Sequence, residues 1–224
     1  MTTESPAQEL LDRLLQISER YCLQEGGPHG PDHSERVFRM AMAMGRRMNA
    51  HLDILAPAAL LHDIGRNQES RSRGGICHAE QGASMAGPIL LELGYNKTDR
   101  AAICHCIRAH RFRSAVNPKS LEAKILFDAD KLDSIGAIGI GRAFLFAGQI
   151  GSRLHNAELD PADTESYSTE DTAYREFQVK MSRVQDQMLT PLGQQLARRR
   201  HEFMELFFAE LNREIYGNEL NGDG

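Results

Sequence analysis

Apolar residues recur at three- and four-residue intervals along most of this chain, and nowhere in the strict alternation that a half-buried strand requires. Leu10, Leu11, Leu14, Leu15 and Ile17 open the pattern over residues 7–24. Gly26-Gly27-Pro28-His29-Gly30-Pro31 breaks it, and Asp32 is placed to cap a second helix over residues 33–48. Met40, Met42, Met44 and Met48 on that helix read as core packing, because unbranched thioethers fill irregular gaps. Further helices are expected over 53–64, with Pro57 near the start where proline is tolerated, over 79–93 up to a stop at Gly94, and over 99–110. Residues 123–147 carry one or two more. The run Gly136-Ala137-Ile138-Gly139-Ile140-Gly141 lacks the Lys-Ser/Thr of a phosphate loop and reads as small residues that let helices approach closely.

Between these segments, residues 65–75 read as a charged surface loop and 151–172 as a mobile loop of the lid type. From residue 174 two final helices follow, the last with Phe203, Leu206, Phe207, Leu211 and Ile215 on one face, and the tail after Gly217 is expected to fray. With no internal repeat, the expected architecture is a single all-α domain over 1–224. Its core is placed at about 8–150, with C-terminal helices at about 173–216 packing on it.

A chain of 224 residues is long enough for one sizeable core. Its formal charge of −5 gives no basis for the long basic surface that nucleic-acid binding needs, while a local basic pocket for a small phosphorylated ligand stays open. No apolar run approaches the roughly 18–20 residues of a membrane span, so no membrane partner is expected. The polar, acidic start lacks the features of a secretory signal, and Cys22, Cys77, Cys104 and Cys106 are too scattered for a disulfide scaffold. A reduced, cytoplasmic protein is the simplest reading. Its oligomeric state is left open.

The chemistry concentrates around Leu60-Leu61-His62-Asp63-Ile64-Gly65, where a histidine and an aspartate close an apolar run. Neighbouring helix residues point about 100° apart, so both reach one ion only if it lies beside the helix end. Imidazole with carboxylate suits Mn, Fe, Co, Ni or Zn. Alone the pair is a weak signal; His33 upstream, His78 and His110 downstream, and Asp130 within Asp128-Ala129-Asp130-Lys131-Leu132-Asp133 strengthen it. Cys104-His105-Cys106 with Cys77 lacks the spacing of a structural zinc site. His29, His51, His105, His155 and His201 fit no motif and read as structural or exposed.

This order resembles the HD superfamily of metal-dependent phosphohydrolases. Pro31-Asp32-His33-Ser34-Glu35-Arg36-Val37 looks like its first-ligand helix, and Leu61-His62-Asp63-Ile64 like the signature pair. His78-Ala79-Glu80-Gln81-Gly82-Ala83 and Ile107-Arg108-Ala109-His110 match the spaced histidines, and the Asp130 segment matches the last-ligand motif. The stretch Leu189-Thr190-Pro191-Leu192-Gly193 with Arg200-His201-Glu202-Phe203-Met204 is similar to small HD hydrolases that split nucleoside triphosphates, so the likeness runs from about residue 8 to 216. It implies a helical bundle of the HD-domain type. It also implies one or two divalent ions (Mn, Fe, Ni or Co, with Mg or Zn also compatible), and water activated by metal to cleave a phosphoester or phosphoanhydride.

His33, His62, Asp63 and Asp130 then supply two nitrogens and two carboxylates to a first ion; His78 and His110, bridged through Asp63, would take a second. The catalytic candidates are Asp63, Lys131, Arg66 and Asp133; of these Lys131 and Arg66 offer the fixed cations that attack on phosphorus needs around the metal. Arg36, Arg71, Arg73 and Lys131 are the candidates for holding the substrate, a small phosphorylated molecule of nucleotide type. Asp133 would share a helix face with Asp130, Asp128 would cap the helix, and Glu69 or Asp133 would serve any side-chain base. An HD-fold di-iron oxygenase has a similar ligand order, and a non-catalytic ligand-binding regulator is the third reading.

Overall fold

The computed structural model describes residues 6–22, 31–72, 74–111 and 116–217. Among these the regular elements are helices and no strand occurs, as the periodicity requires. None of the helices of the described residues is long and apolar enough to cross a membrane. The chain falls into two compact units, Met1–Asp130 and Lys131–Gly224. Residues 131–150 fall in the second of these units.

The first unit is built from α1 (Pro6–Cys22), α2 (Pro31–Arg47), α3 (Leu52–Leu61), α4 (Arg66–Arg71), α5 (His78–Glu92), α6 (Lys97–Ala109) and α7 (Leu121–Leu132), whose Asp130 closes the unit. At its centre is α3, packed against α1, α2 and α6 and buried from Leu55 through Leu61. A helix apolar on all sides has no face to give to water. Met42 and Met44 of α2 are buried in the same core, as expected of them. The start of α3 is held from outside: the His51 N–H donates to the Glu122 carboxylate of α7 at 2.9 Å. Its end falls at Leu61, leaving His62–Gly65 as a turn.

Local details depart from the pattern in instructive ways. Asp32 is not a cap but lies in the first turn of α2, behind Pro31, where its charge suits the positive end of the helix. The charged stretch after Gly65 forms the short helix α4, packed against α5. Asp128 lies inside α7 and is fully buried, not at its start. Gly94 ends α5 with φ +84°, the left-handed conformation expected of a stop.

The second unit comprises α8 (Gly136–Gln149), α9 (Ala173–Val179) and α10 (Pro191–Ile215), with α8 packed on both others. The glycine run does allow close approach here: a Cβ on Gly139 would stand 2.4 Å from the Ser134 carbonyl oxygen, and one on Gly136 2.9 Å from Arg200. Thr190 caps α10 by accepting from the Gly193 N–H. The buried stripe of α10 is Gly193, Ala197, Met204 and Phe208, whereas Phe203, Leu206 and Ile215 of the expected face are exposed. Residues 151–172 are not loose. Arg175 donates to Asp171 at 2.9 Å and to the Thr164 hydroxyl and carbonyl, and Asn156 donates to the Glu170 carbonyl at 2.8 Å.

Candidate metal centre

Six side chains reach one point in the first unit from widely separated places in the sequence. His33 comes from the first turn of α2, His62 and Asp63 from the turn after α3, His78 from the start of α5, His110 from just past α6, and Asp130 from the last turn of α7. All are buried except Asp130, which is half-buried. Gly65 makes the approach of the His62–Asp63 turn to α5 achievable: a Cβ there would sit 2.3 Å from the His78 carbonyl oxygen and 2.6 Å from the Gly82 nitrogen. Gly82 answers from the other side, its own missing Cβ lying 3.3 Å from the His62 carbonyl oxygen.

The donor atoms fall into two clusters that share Asp63. In one, ligand atoms of His33, His62 and Asp63 lie within 4.8 Å of one another, and Asp130 Oδ1 stands 3.3 Å from His33 Nε2. In the other, Asp63 joins His78 and His110. Asp63 turns Oδ2 toward His33 and His62, at 3.6 and 3.7 Å, and Oδ1 toward His78 and His110, at 3.6 and 3.5 Å.

Hydrogen bonds on the far side of each ring decide what faces inward. His62 Nδ1 donates to the Ala59 carbonyl at 2.7 Å, His110 Nδ1 to the Ile107 carbonyl at 2.6 Å, and His78 Nδ1 to the Glu69 carboxylate at 2.7 Å. Burial keeps His62 and His78 neutral, and a neutral imidazole carries one proton, so with Nδ1 donating their Nε2 atoms turn lone pairs inward. His78 and His110 Nε2 nevertheless stand 3.2 Å apart, with Asp63 Oδ1 beside both. His78 Nε2, His110 Nε2 and Asp63 Oδ1, all atoms able to ligate a cation, thus lie within 3.6 Å of one another. The nitrogen and carboxylate donors suit a divalent cation, and the residues present fit the metal that the sequence suggests.

The electrostatics keep the donors in ligand form. Burial, against the pull of Asp63, pushes His62 down to about 4 and His78 down to about 2, so both stay neutral at physiological pH. Burial alone would raise Asp63, but the Arg66 guanidinium, with His62 adding to it, holds its carboxyl well below the usual range. Arg66 Nη2 lies 3.1 Å from each Asp63 oxygen and Nη1 3.3 Å from Glu69.

Of the remaining sequence candidates, Arg36 is half-buried on α2 one turn beyond His33, and Arg71 is exposed at the end of α4. Arg73 lies outside the described residues. Lys131 and Asp133 belong to the second unit. Asp133 does not continue the helix face of Asp130, because α7 ends at Leu132; its carboxylate accepts from Arg142 at 2.8 Å. One residue escaped sequence reasoning altogether: Arg111, whose guanidinium lies 2.9 Å from Glu69. Its only signal was its place directly after a histidine of the motif.

The HD domain family model matches residues 32–135, a span that contains all six donors. YpgQ of Bacillus subtilis is 34% identical over 197 residues, covering 86% of this chain and 87% of YpgQ. This chain belongs to the HD superfamily. The crystal structure of YpgQ in complex with ADP is similar to it with a TM-score of 0.71 and 31% identity, over 92% of this chain and 97% of that one. An HD-superfamily hydrolase from Bacillus thuringiensis gives a TM-score of 0.74 at 26% identity, over 93% and 98% of the two chains. The protein is thus a metal-dependent hydrolase of the HD type, with helical architecture to match.

Proposed function

We propose that this HD hydrolase cleaves a phosphoester or phosphoanhydride bond of a small phosphorylated molecule, a nucleotide, at the Asp63-centred cluster. The observation that carries the reading is the convergence of His78 Nε2, His110 Nε2 and Asp63 Oδ1 on one buried spot, bordered by the guanidinium of Arg66. A relative of similar fold, YpgQ, has been crystallised with ADP, which supports a nucleotide as the substrate class.

In this reading His33, His62, Asp63 and Asp130 hold one ion, and Asp63, His78 and His110 a second. A bound divalent ion supplies Lewis acidity toward a phosphoryl oxygen and acidifies water to a pKa near 7. The protein's own groups do the rest. Asp63 fixes the centre by presenting one oxygen to each cluster, and Arg66 holds that carboxylate ionised and in place. Arg36, Arg71, Arg73 and Lys131 offer cations for the phosphates, of which Lys131 follows Asp130 directly in the chain. Asp133, engaged by Arg142, steadies the turn behind Lys131; the Ser134 N–H and hydroxyl of that turn both donate to the Lys131 carbonyl.

The test is a screen of nucleoside mono-, di- and triphosphates and simple phosphoesters with Mn, Ni, Co and Mg, scored by phosphate or pyrophosphate release, beside metal analysis of the purified protein. Metal-dependent release from a nucleotide is the expected result. Two irons with oxygen consumption and no release would instead identify an oxygenase. Tight nucleotide binding without turnover under any metal would identify a regulator.

A further inference from the structure

The two clusters differ in charge. The His33–His62 cluster has two carboxylates, Asp63 and Asp130, whereas the His78–His110 cluster has only its share of Asp63. They also differ in what lies behind the rings: His62 and His110 give their Nδ1 protons to main-chain carbonyls, while His78 gives its proton to the Glu69 carboxylate, 2.7 Å away. A carboxylate behind a histidine fixes its tautomer and makes the ligating nitrogen more basic than a carbonyl does. Glu69 is itself held, with Arg66 and Arg111 at 3.3 and 2.9 Å. It stands on α4, the helix hidden in what the sequence presents as a polar loop.

We propose that Glu69 is the positioning residue of the second cluster, supplying through His78 the carboxylate charge which that cluster lacks, so that the second ion depends on Glu69 and the first does not. The inference rests on the two-ion reading above and sharpens it. It also gives Glu69 a different task from that of a general base: its Oε2 is engaged by His78 and Arg66, and its Oε1 lies 2.9 Å from the Arg111 guanidinium.

The test is a titration of the metal-stripped full chain with Mn²⁺ alone, following free Mn²⁺ by electron paramagnetic resonance, so that no turnover is involved. Wild type should take up two ions in separable steps. Glu69→Gln keeps an acceptor for the His78 Nδ1 proton but loses the charge; it should weaken the second step about 10-fold and leave the first unchanged. Glu69→Ala loses both acceptor and charge and should weaken the second step nearer 100-fold, the upper end for such supporting partners. Circular dichroism of both variants should overlay wild type. The proposal is overturned if both steps weaken equally, or if Glu69→Ala leaves both unchanged. A single wild-type step that His78→Ala does not alter overturns the second cluster along with it. Phosphate release, measured separately, tells that outcome apart from failure of the hydrolase reading.

Discussion

In the second unit Arg175 and Asp171 are buried side by side, and their charges are met: the guanidinium donates to Asp171 and to the Thr164 hydroxyl and carbonyl. In the first unit, Asp63, His78 and His110 are buried at least as deeply, but the two Nε2 atoms stand 3.2 Å apart and both lie beside Asp63 Oδ1. Buried polar groups are ordinarily hydrogen-bonded, because leaving one unmet costs its full desolvation. The contrast teaches how to separate polar groups that hold a fold from those that await a partner. The Arg175 network closes on itself; in the Asp63 cluster Arg66 meets the carboxylate while the Nε2 atoms of His78 and His110 face each other, an arrangement that the proposed ions would complete.

If that distinction is sound, breaking each group should have a different signature. The largest effect is expected for Asp63→Ala, which removes the carboxylate common to both clusters. Metal catalysis contributes several kcal/mol, so hydrolysis should fall by at least about 10³-fold, with helix content by circular dichroism unchanged. A variant that turned over normally would remove Asp63 from the reaction. Next comes Arg175→Met, which strands a buried Asp171 and should cost about 3–5 kcal/mol of stability in a denaturant titration. Metal uptake by its folded fraction should match wild type, and a fold left as stable as before would break the comparison from the other side.

Gly65→Ala sits between the two kinds of change, since its added methyl must displace the backbone of α5 at His78 and Gly82. A loss of about 1–3 kcal/mol is expected from overpacking, together with weaker binding of both ions in a calorimetric titration. The smallest effect sharpens the comparison within the first unit. Burial pushes the Glu122 carboxyl up, but the His51 N–H and neighbouring donors outweigh it and hold it below 4.5. Its folded pKa lies under its unfolded one, so the stability it contributes is in place above pH 4.5 and is lost as pH falls through the lowered value. Glu122→Gln should flatten that acid limb and cost no more than about 1 kcal/mol at neutral pH, read from melting temperature against pH.

The helical architecture was legible because helices announce themselves through apolar spacing, and the six donors because their residue types and order form a known pattern. What the sequence concealed depends on contacts between distant positions. Glu69 was legible only as a candidate base; its pairing with Arg111 arises because the chain just past α6 returns to α4, which no local window shows. The run Arg66–Arg71 has no apolar stripe, so its helix could not be read from periodicity. Residues 151–172 looked mobile because side chains that satisfy one another have the same composition as side chains that satisfy water. On α10 Met204 with Phe208, not Phe203 with Leu206, turned inward.

The contact of Gly65 with the opening turns of α5 has a consequence for how such an enzyme can diversify. Spacing between the His62–Asp63 turn and His78 is fixed by peptide atoms touching peptide atoms, with no intervening side chain to swell or shrink. Residues lining the approach to the centre are therefore at liberty to drift toward new substrates while the reactive core keeps its dimensions. Chemistry and selectivity become separately adjustable, and a lineage built on this joint can change what it cleaves without relearning how.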